Sequence, residues 1–265
     1  MWDEKWNAAF ESRNPQTARK VLQEITNAVE YSNDPEQKAS FLLAAAGCNA
    51  ILKNYEQMRS CLESARRIAP GGNPFFDVDA DFLEALWYTN QGYFEEGLSR
   101  LDQVLKNYGE DLKRVHFRSL YEQVQFARAL ALTELEKFDQ ACPTLEEARS
   151  FDLSESDQAI LQFQLGVCYL ASNNNEAALN CFRRAAEIGV EPTHEAALHY
   201  YLGRVYYRLK DYGNAKKDLL ASEECIKRGL PGPAPGDLYK LLAYSCMGLR
   251  EKSEAEMYSR LATAV

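Results

Sequence analysis

Small residues recur in pairs twelve positions apart along this chain, and the pairs themselves recur at nearly regular intervals. Gly166/Ala178 and Gly203/Ala215 are the sharpest. Ala129/Ala141, Ala85/Gly97 and Ala243/Ala255 come next, with Ala46/Met58 and Trp6/Ala18 as weaker instances. Four residues after the second member a large apolar residue usually stands: Leu22, Leu62, Leu101, Leu145, Phe182, Leu219. Three further on there is usually a small one: Ala65, Ala148, Ala185, Ser222, Ala262. Anchors at 6, 46, 85, 129, 166, 203 and 243 divide the 265 residues into seven units of 37 to 44. A period of that size marks stacked supersecondary units.

Each unit reads as two antiparallel helices. Small residues at matched heights let the two backbones approach, and the large residues fill the groove between successive pairs. Neither helix buries its apolar side alone, so each pair needs its neighbours and the core grows as a ribbon. The 14 Gly and 9 Pro are too few for a many-stranded β protein, where a turn falls every 8–12 residues. The prediction is therefore all-α: a solenoid of about seven helix pairs, forming one repeat domain over residues 1–265.

Local signals place the helix ends. Asn14-Pro15 and Asp34-Pro35-Glu36-Gln37 put a cap before a proline at the first helical position, the latter with a reciprocal glutamine. Ser154-Glu155-Ser156-Asp157 offers a similar start, while Pro70-Gly71-Gly72 and Gly229-Leu230-Pro231-Gly232-Pro233 are stops. The step of 44 exceeds its successor by 7, about two turns at 3.6 residues each, which predicts an extended helix from Asp111 to Leu135. Pro143, near the start of a second helix, is expected to delay or kink it.

Charge narrows the class of partner. A net charge of −9 and a pI near 5.1 repel phosphate backbones and anionic lipid, so neither nucleic acid nor membrane is expected as the main ligand. The opening Met-Trp-Asp-Glu-Lys-Trp has no basic n-region or apolar h-region, and the most apolar stretch, Phe41 to Leu52, is too short to span a bilayer. Seven scattered cysteines fit small core residues in a reducing compartment, so the expected location is cytoplasmic.

The run Leu165-Gly166-Val167-Cys168-Tyr169 followed by Ala178, Phe182 and Ala185 resembles the tetratricopeptide repeat, and Leu202, Gly203, Tyr206, Tyr212, Ala215 and Leu219 match almost as well. The other five units are degenerate, with Trp6, Met58 and Lys252 off the pattern. The resemblance covers the whole chain, and its long steps are similar to the longer-repeat branch found in bacterial regulators and multidomain signalling proteins. It implies a right-handed superhelix whose groove, lined by first helices, binds peptides or protein surfaces.

In that geometry the residue three before the central small one and the residue just after it point into the groove. The first set is Leu43, Phe82, Phe126, Phe163, Tyr200 and Lys240; the second is Asn7, Gly47, Leu86, Leu130, Val167, Arg204 and Tyr244. The carboxylate clamp that holds chaperone tails needs Lys and Asn in these places. Phe82/Leu86, Phe126/Leu130 and Phe163/Val167 stand there instead. Phe82, Phe126 and Phe163 then read either as an aromatic ladder for a helix or peptide, or as packing against neighbouring helices. Tyr200, Tyr207 and Tyr244 line the C-terminal end of the groove, where Arg204, Arg208 and Lys240 would steer an acidic segment of a protein or peptide partner, unless these cations are simply solvated.

Catalytic constellations are hard to find, and no cofactor is expected. His116, His194 and His199 form no metal-binding pair. Cys48/Cys61 and Cys168/Cys181 share a spacing and corresponding places, a conceivable redox arrangement, yet buried packing suits them better. Asp77, Asp79 and Asp81 read as loop residues with a weak calcium-loop pattern. The leading function is a non-catalytic protein-interaction scaffold; the alternative is a sensory or regulatory module of a larger signalling or transcription-regulatory protein. The last helix, Ser253 to Ala264, carries Ala255, Met257, Tyr258, Leu261 and Ala262 with no helix after it, and Trp2 and Trp6 raise the same question at the other end. Self-association through uncapped terminal helices, or a longer native chain, is expected.

Overall fold

The computed structural model describes residues 14–68, 74–113 and 118–264, with the side chains of 74–77 left out. Among these residues there are thirteen α-helices, one 3₁₀ turn and no strand. They are α1 (Pro15–Tyr31), α2 (Pro35–Ile51), α3 (Tyr55–Ile68), α4 (Pro74–Asn90), α5 (Phe94–Leu112), α6 (Arg118–Glu134) and α7 (Phe138–Glu147), which runs into a 3₁₀ turn at Ala148–Ser150. Beyond it come α8 (Glu155–Ala171), α9 (Asn175–Ile188), α10 (Pro192–Arg208), α11 (Tyr212–Lys227), α12 (Pro235–Gly248) and α13 (Lys252–Ala264). The units anchored at 46, 85, 129, 166, 203 and 243 each form a helix pair. The first helix expected around Trp6 lies outside the described residues, as do Trp2, Asn7 and His116.

The expected starts hold. Asn14 Oδ1 accepts from the backbone N–H groups of Gln16 (2.8 Å) and Thr17 (3.3 Å) ahead of Pro15. Asp34 Oδ1 accepts from Glu36 N (3.0 Å), and Ser154 Oγ accepts from Asp157 N (3.2 Å). Gln37 does not reciprocate; its Oε1 accepts from the Ser32 hydroxyl instead (3.0 Å).

One turn recurs within every described pair. Lys53, Glu136, Asn173, Lys210 and Arg250 adopt φ values between 56° and 63°, and Gly92 takes 81° at the equivalent place. The residue after each donates its N–H five residues back, as Asn174 does to Tyr169 O (2.8 Å) and Asp211 to Tyr206 O (2.9 Å). This is the left-handed helix ending that satisfies the last carbonyls of the first helix and reverses the chain. Five of the six use a residue with a Cβ, so the usual glycine signal is missing from the sequence.

The small-residue rule has a direct geometric meaning. A Cβ on Gly203 would lie 2.6 Å from Leu219 Cγ and 3.3 Å from the carbonyl of Ala215; one on Gly97 would lie 2.4 Å from the Thr89 side chain. The paired backbones are in contact at these levels, and nothing larger than hydrogen fits without displacement.

Two expectations fail. The helix predicted from Asp111 to Leu135 is interrupted: α5 ends at Leu112, Lys113 is a turn, and the next described helix, α6 from Arg118, packs against α5. α5 itself is long, and its 19 residues bury Leu101, Val104 and Leu112 on one stripe. Nor does Pro143 delay its helix, since α7 begins five residues earlier at Phe138. After Pro143 the helix continues only to Glu147, then tightens into the 3₁₀ turn at Ala148.

The packing divides into two compact units. The first comprises residues 1–144 with 150–152, and three core clusters lie among its described residues. One joins α1 to α2 through Ala18, Val21, Ile25, Phe41 and Cys48. A second joins α2, α3 and α4 through Ala46, Met58, Leu62 and Leu83. The third joins α4, α5 and α6 through Phe82, Ala85, Leu101, Val104, Leu112 and Val124. The second unit, residues 145–149 with 153–265, has a cluster of α8, α9 and α10 around Phe182 and another of α11, α12 and α13 around Leu242.

Candidate partner-binding face

In the second unit, α10 places Tyr200, Arg204, Tyr207 and Arg208 within two turns, and α12 places Lys240 and Tyr244 beside them. The guanidinium of Arg204 lies over the rings of Tyr200 (5.6 Å) and Tyr201 (5.3 Å), a cation–π arrangement that holds it upright. No carboxylate among the described residues pairs with it. Tyr207 meets Tyr244 with ring centroids 6.2 Å apart, which links the two helices, and Tyr244 is 49% exposed. Lys240 is exposed and reaches Asp237 on its own helix (3.5 Å). Burial raises the Tyr200 phenol above its ordinary value, against the opposing pull of Arg204. The result is an aromatic and cationic surface with hydroxyl donors, suited to carboxylates on a partner.

Arg208 has another task. Its Nη1 donates to Leu170 O (2.7 Å) and to Asn173 Oδ1 (3.1 Å), capping the C-terminal end of α8. Partial burial and the nearby Arg204 lower its pKa. One of its nitrogens is therefore engaged within the fold, while the residue itself stays exposed.

The phenylalanines are corrected too. Phe82, Phe126 and Phe163 are 3%, 5% and 8% exposed, so they form no ladder open to a partner. Phe82 packs with Leu101 and Val104, and Phe163 meets Phe182 and Tyr201 edge-on (5.7 and 5.5 Å). They hold first helices against their neighbours. Leu43 is likewise buried. Leu86 and Leu130 in the first unit and Val167 in the second are half-buried beside these cores.

Asp77, Asp79 and Asp81 fall within α4 rather than in a loop, which removes the calcium-loop pattern. Asp81 pairs with Arg66 (2.8 Å), which also reaches Glu84 (2.7 Å). Burial pushes the Asp79 carboxyl up to about 7. Position along the helix carried no sign of this, because burial depends on what packs over the residue.

Another group missed in the sequence lies in the last pair. The thiol of Cys246 and carboxylates of Glu251 and Glu254 converge within 4.8 Å, a spacing open to a metal ion. The ammonium of Lys216 already supplies a cation there, 2.6 Å from Glu251 and 2.7 Å from Glu254. No disulfide joins any of the seven cysteines, and Cys48 and Cys246 are pushed up to about 11 by burial. His199 Nδ1 lies 2.9 Å from Asp218 and joins α10 to α11. None of the described helices is long and apolar enough to cross a membrane.

Comparison with known proteins places these helix pairs. The tetratricopeptide repeat profile matches residues 159–188, the body of α8 and α9. No curated protein sequence matches. Among solved structures, the apo form of the quorum sensor NprR from B. thuringiensis superposes with a TM-score of 0.77 at 18% identity, covering 98% of this chain and 74% of that one. NprR in complex with its cognate peptide NprX gives 0.73 at 19% identity, covering 98% and 76%. The apo form of RapI gives 0.64 at 15%, covering 98% and 76%. At these identities the likeness is one of fold.

Proposed function

We propose that this chain, a tetratricopeptide-repeat protein by its matched repeat and its helix-pair fold, is a non-catalytic interaction scaffold. It holds a peptide or helix of a protein partner against the first helices of its pairs. The observation that carries this reading is Arg204: a guanidinium without a carboxylate partner among the described residues, set over two tyrosine rings, next to the exposed Tyr244 and Lys240. Such a group is held in place before a ligand arrives, so little side-chain entropy is lost on binding. Val167 and Tyr207, in the same unit as Arg204, contribute apolar and aromatic contact. The partner is a protein that brings a short acidic segment to the local cations Arg204 and Lys240, since the net charge of −9 disfavours an extended polyanion such as nucleic acid or an anionic lipid surface.

A second reading is favoured by one comparison. NprR has this fold both alone and with its cognate peptide, which supports a regulatory module whose helix pairs respond to a bound peptide.

The test is capture of partners from the source cell by the wild-type chain and by a double variant carrying Arg204→Glu and Lys240→Glu. Loss of an acidic partner in the variant, with binding that weakens as salt rises in the wild type, is the expected result. An unchanged partner set with unchanged salt dependence would count against the face built by α10 and α12.

A further inference from the structure

The second unit contains its own template for how a helix docks on a helix pair. On α8 and α9, the next helix α10 lays Leu198, Leu202 and Val205 against Leu170, Ala178 and Phe182. Three hydrogen bonds fix its register: Arg208 donates to Leu170 O and Asn173 Oδ1, and Arg183 Nη2 donates to Tyr206 Oη (3.0 Å). On α11, α12 repeats the arrangement with Leu238, Leu242 and Cys246 around Leu219.

The α12–α13 pair presents the same surface, and no helix covers it among the described residues. Met247 and Met257 are 53% and 46% exposed, and a cavity of about 630 Å³ opens over Met247, Ala255 and Ser259. By the repeat register these three stand where Leu170, Ala178 and Phe182 receive α10. Ser259 in place of a phenylalanine leaves room for a large ring brought by the incoming helix.

Charge identifies the occupant. Arg250, Lys252 and Arg260 rim the cavity with Glu256 as its one carboxylate, and none of the three cations is paired with an acid among the described residues. Arg250 occupies the register position of Asn173, which accepts from Arg208 of α10. A helix like α10 would set that arginine against another arginine, whereas a carboxylate there is attracted. Arg260 occupies the position of Arg183, whose partner is the Tyr206 oxygen, so an acceptor is required there as well.

We infer that the α12–α13 end of this chain is a docking site for an acidic amphipathic helix of a partner protein, seated as α10 is seated on α8 and α9, with carboxylates facing Arg250 and Arg260 and an aromatic ring over Ser259. The site is separate from the face of α10 and α12 and stands whether or not that face binds a peptide.

Two fluorescein-labelled peptides test it against the full chain by anisotropy: residues 192–208 as they stand, and the same segment carrying Tyr206→Glu and Arg208→Glu. The acidic peptide is expected to bind at least about tenfold more tightly, with affinity falling as salt rises. The exposed double substitution Arg250→Glu with Arg260→Glu is expected to reverse the preference while leaving the thermal melt unchanged. Equal binding of the two peptides, no binding of either, or a preference that survives the charge reversal overturns the proposal. Sedimentation of the free chain is the remaining arm: dimers that the acidic peptide cannot dissociate, and that the charge reversal abolishes, would assign this surface to a second copy and overturn it too.

Discussion

A Cβ atom on Gly166 would lie 2.5 Å from the ring of Phe182, on the partner helix of the same pair. Phe182 is fully buried, and its ring is held from the other side by Tyr201 stacked at 5.6 Å. The ring has no direction in which to yield. Gly166→Ala is therefore expected to destabilise the chain by about 1–3 kcal/mol through overpacking, even though alanine is the better helix former. Denaturant titration followed by circular dichroism measures this. A stability gain would mean that the α8–α9 pair separates freely.

The recurrent turn makes the opposite expectation. Lys210 sits at φ 63° between α10 and α11, a conformation that costs a residue with a Cβ about 1 kcal/mol and glycine almost nothing. Its side chain is exposed. Lys210→Gly is expected to stabilise by about 0.5–1 kcal/mol, because relief of strain exceeds the added freedom of the unfolded chain. Thermal melting of Lys210→Gly, alone and with Lys53→Gly, checks both the sign and the additivity expected of distant sites.

Asp79 sets a pH dependence. Its carboxyl is pushed up from 3.8 to about 7 by burial, so the folded state holds a proton that the unfolded state has released. Stability from this group is present in full below the unfolded value, and is lost as pH rises through the folded value near 7. Asp79→Asn removes that loss. It is expected to be more stable than the wild type at pH 8 by about 1–2 kcal/mol, with the gap narrowing toward pH 4. Urea midpoints at the two pH values are the measurement, and a constant gap would show that the carboxyl ionises freely.

Much of the architecture was legible as spacing. The twelve-residue step places two small residues at one height on facing helices, and the contacts of Gly97, Gly166 and Gly203 are what that step encodes. Caps at Asn14, Asp34 and Ser154 were legible for the same reason, since a side chain and its own next turn are local. The turns were not, because lysine, glutamate or arginine in the left-handed position carries no glycine mark.

What only the tertiary structure decided is which atoms remain free once neighbouring helices close. Phe163 and Tyr200 hold equivalent places in their units, yet one lies beneath Tyr201 while the other stays half-open beneath Arg204. Arg204 and Arg208 are one turn apart on α10, yet only the second meets the carbonyl end of α8. The step between the units anchored at 85 and 129 holds a long α5 of 19 residues that ends at Leu112. Burial and pairing are properties of two surfaces brought together, and a sequence specifies each surface without stating what will cover it. The period determined that helices pair and stack; the packing of one pair on the next determined which residues are left to meet a partner.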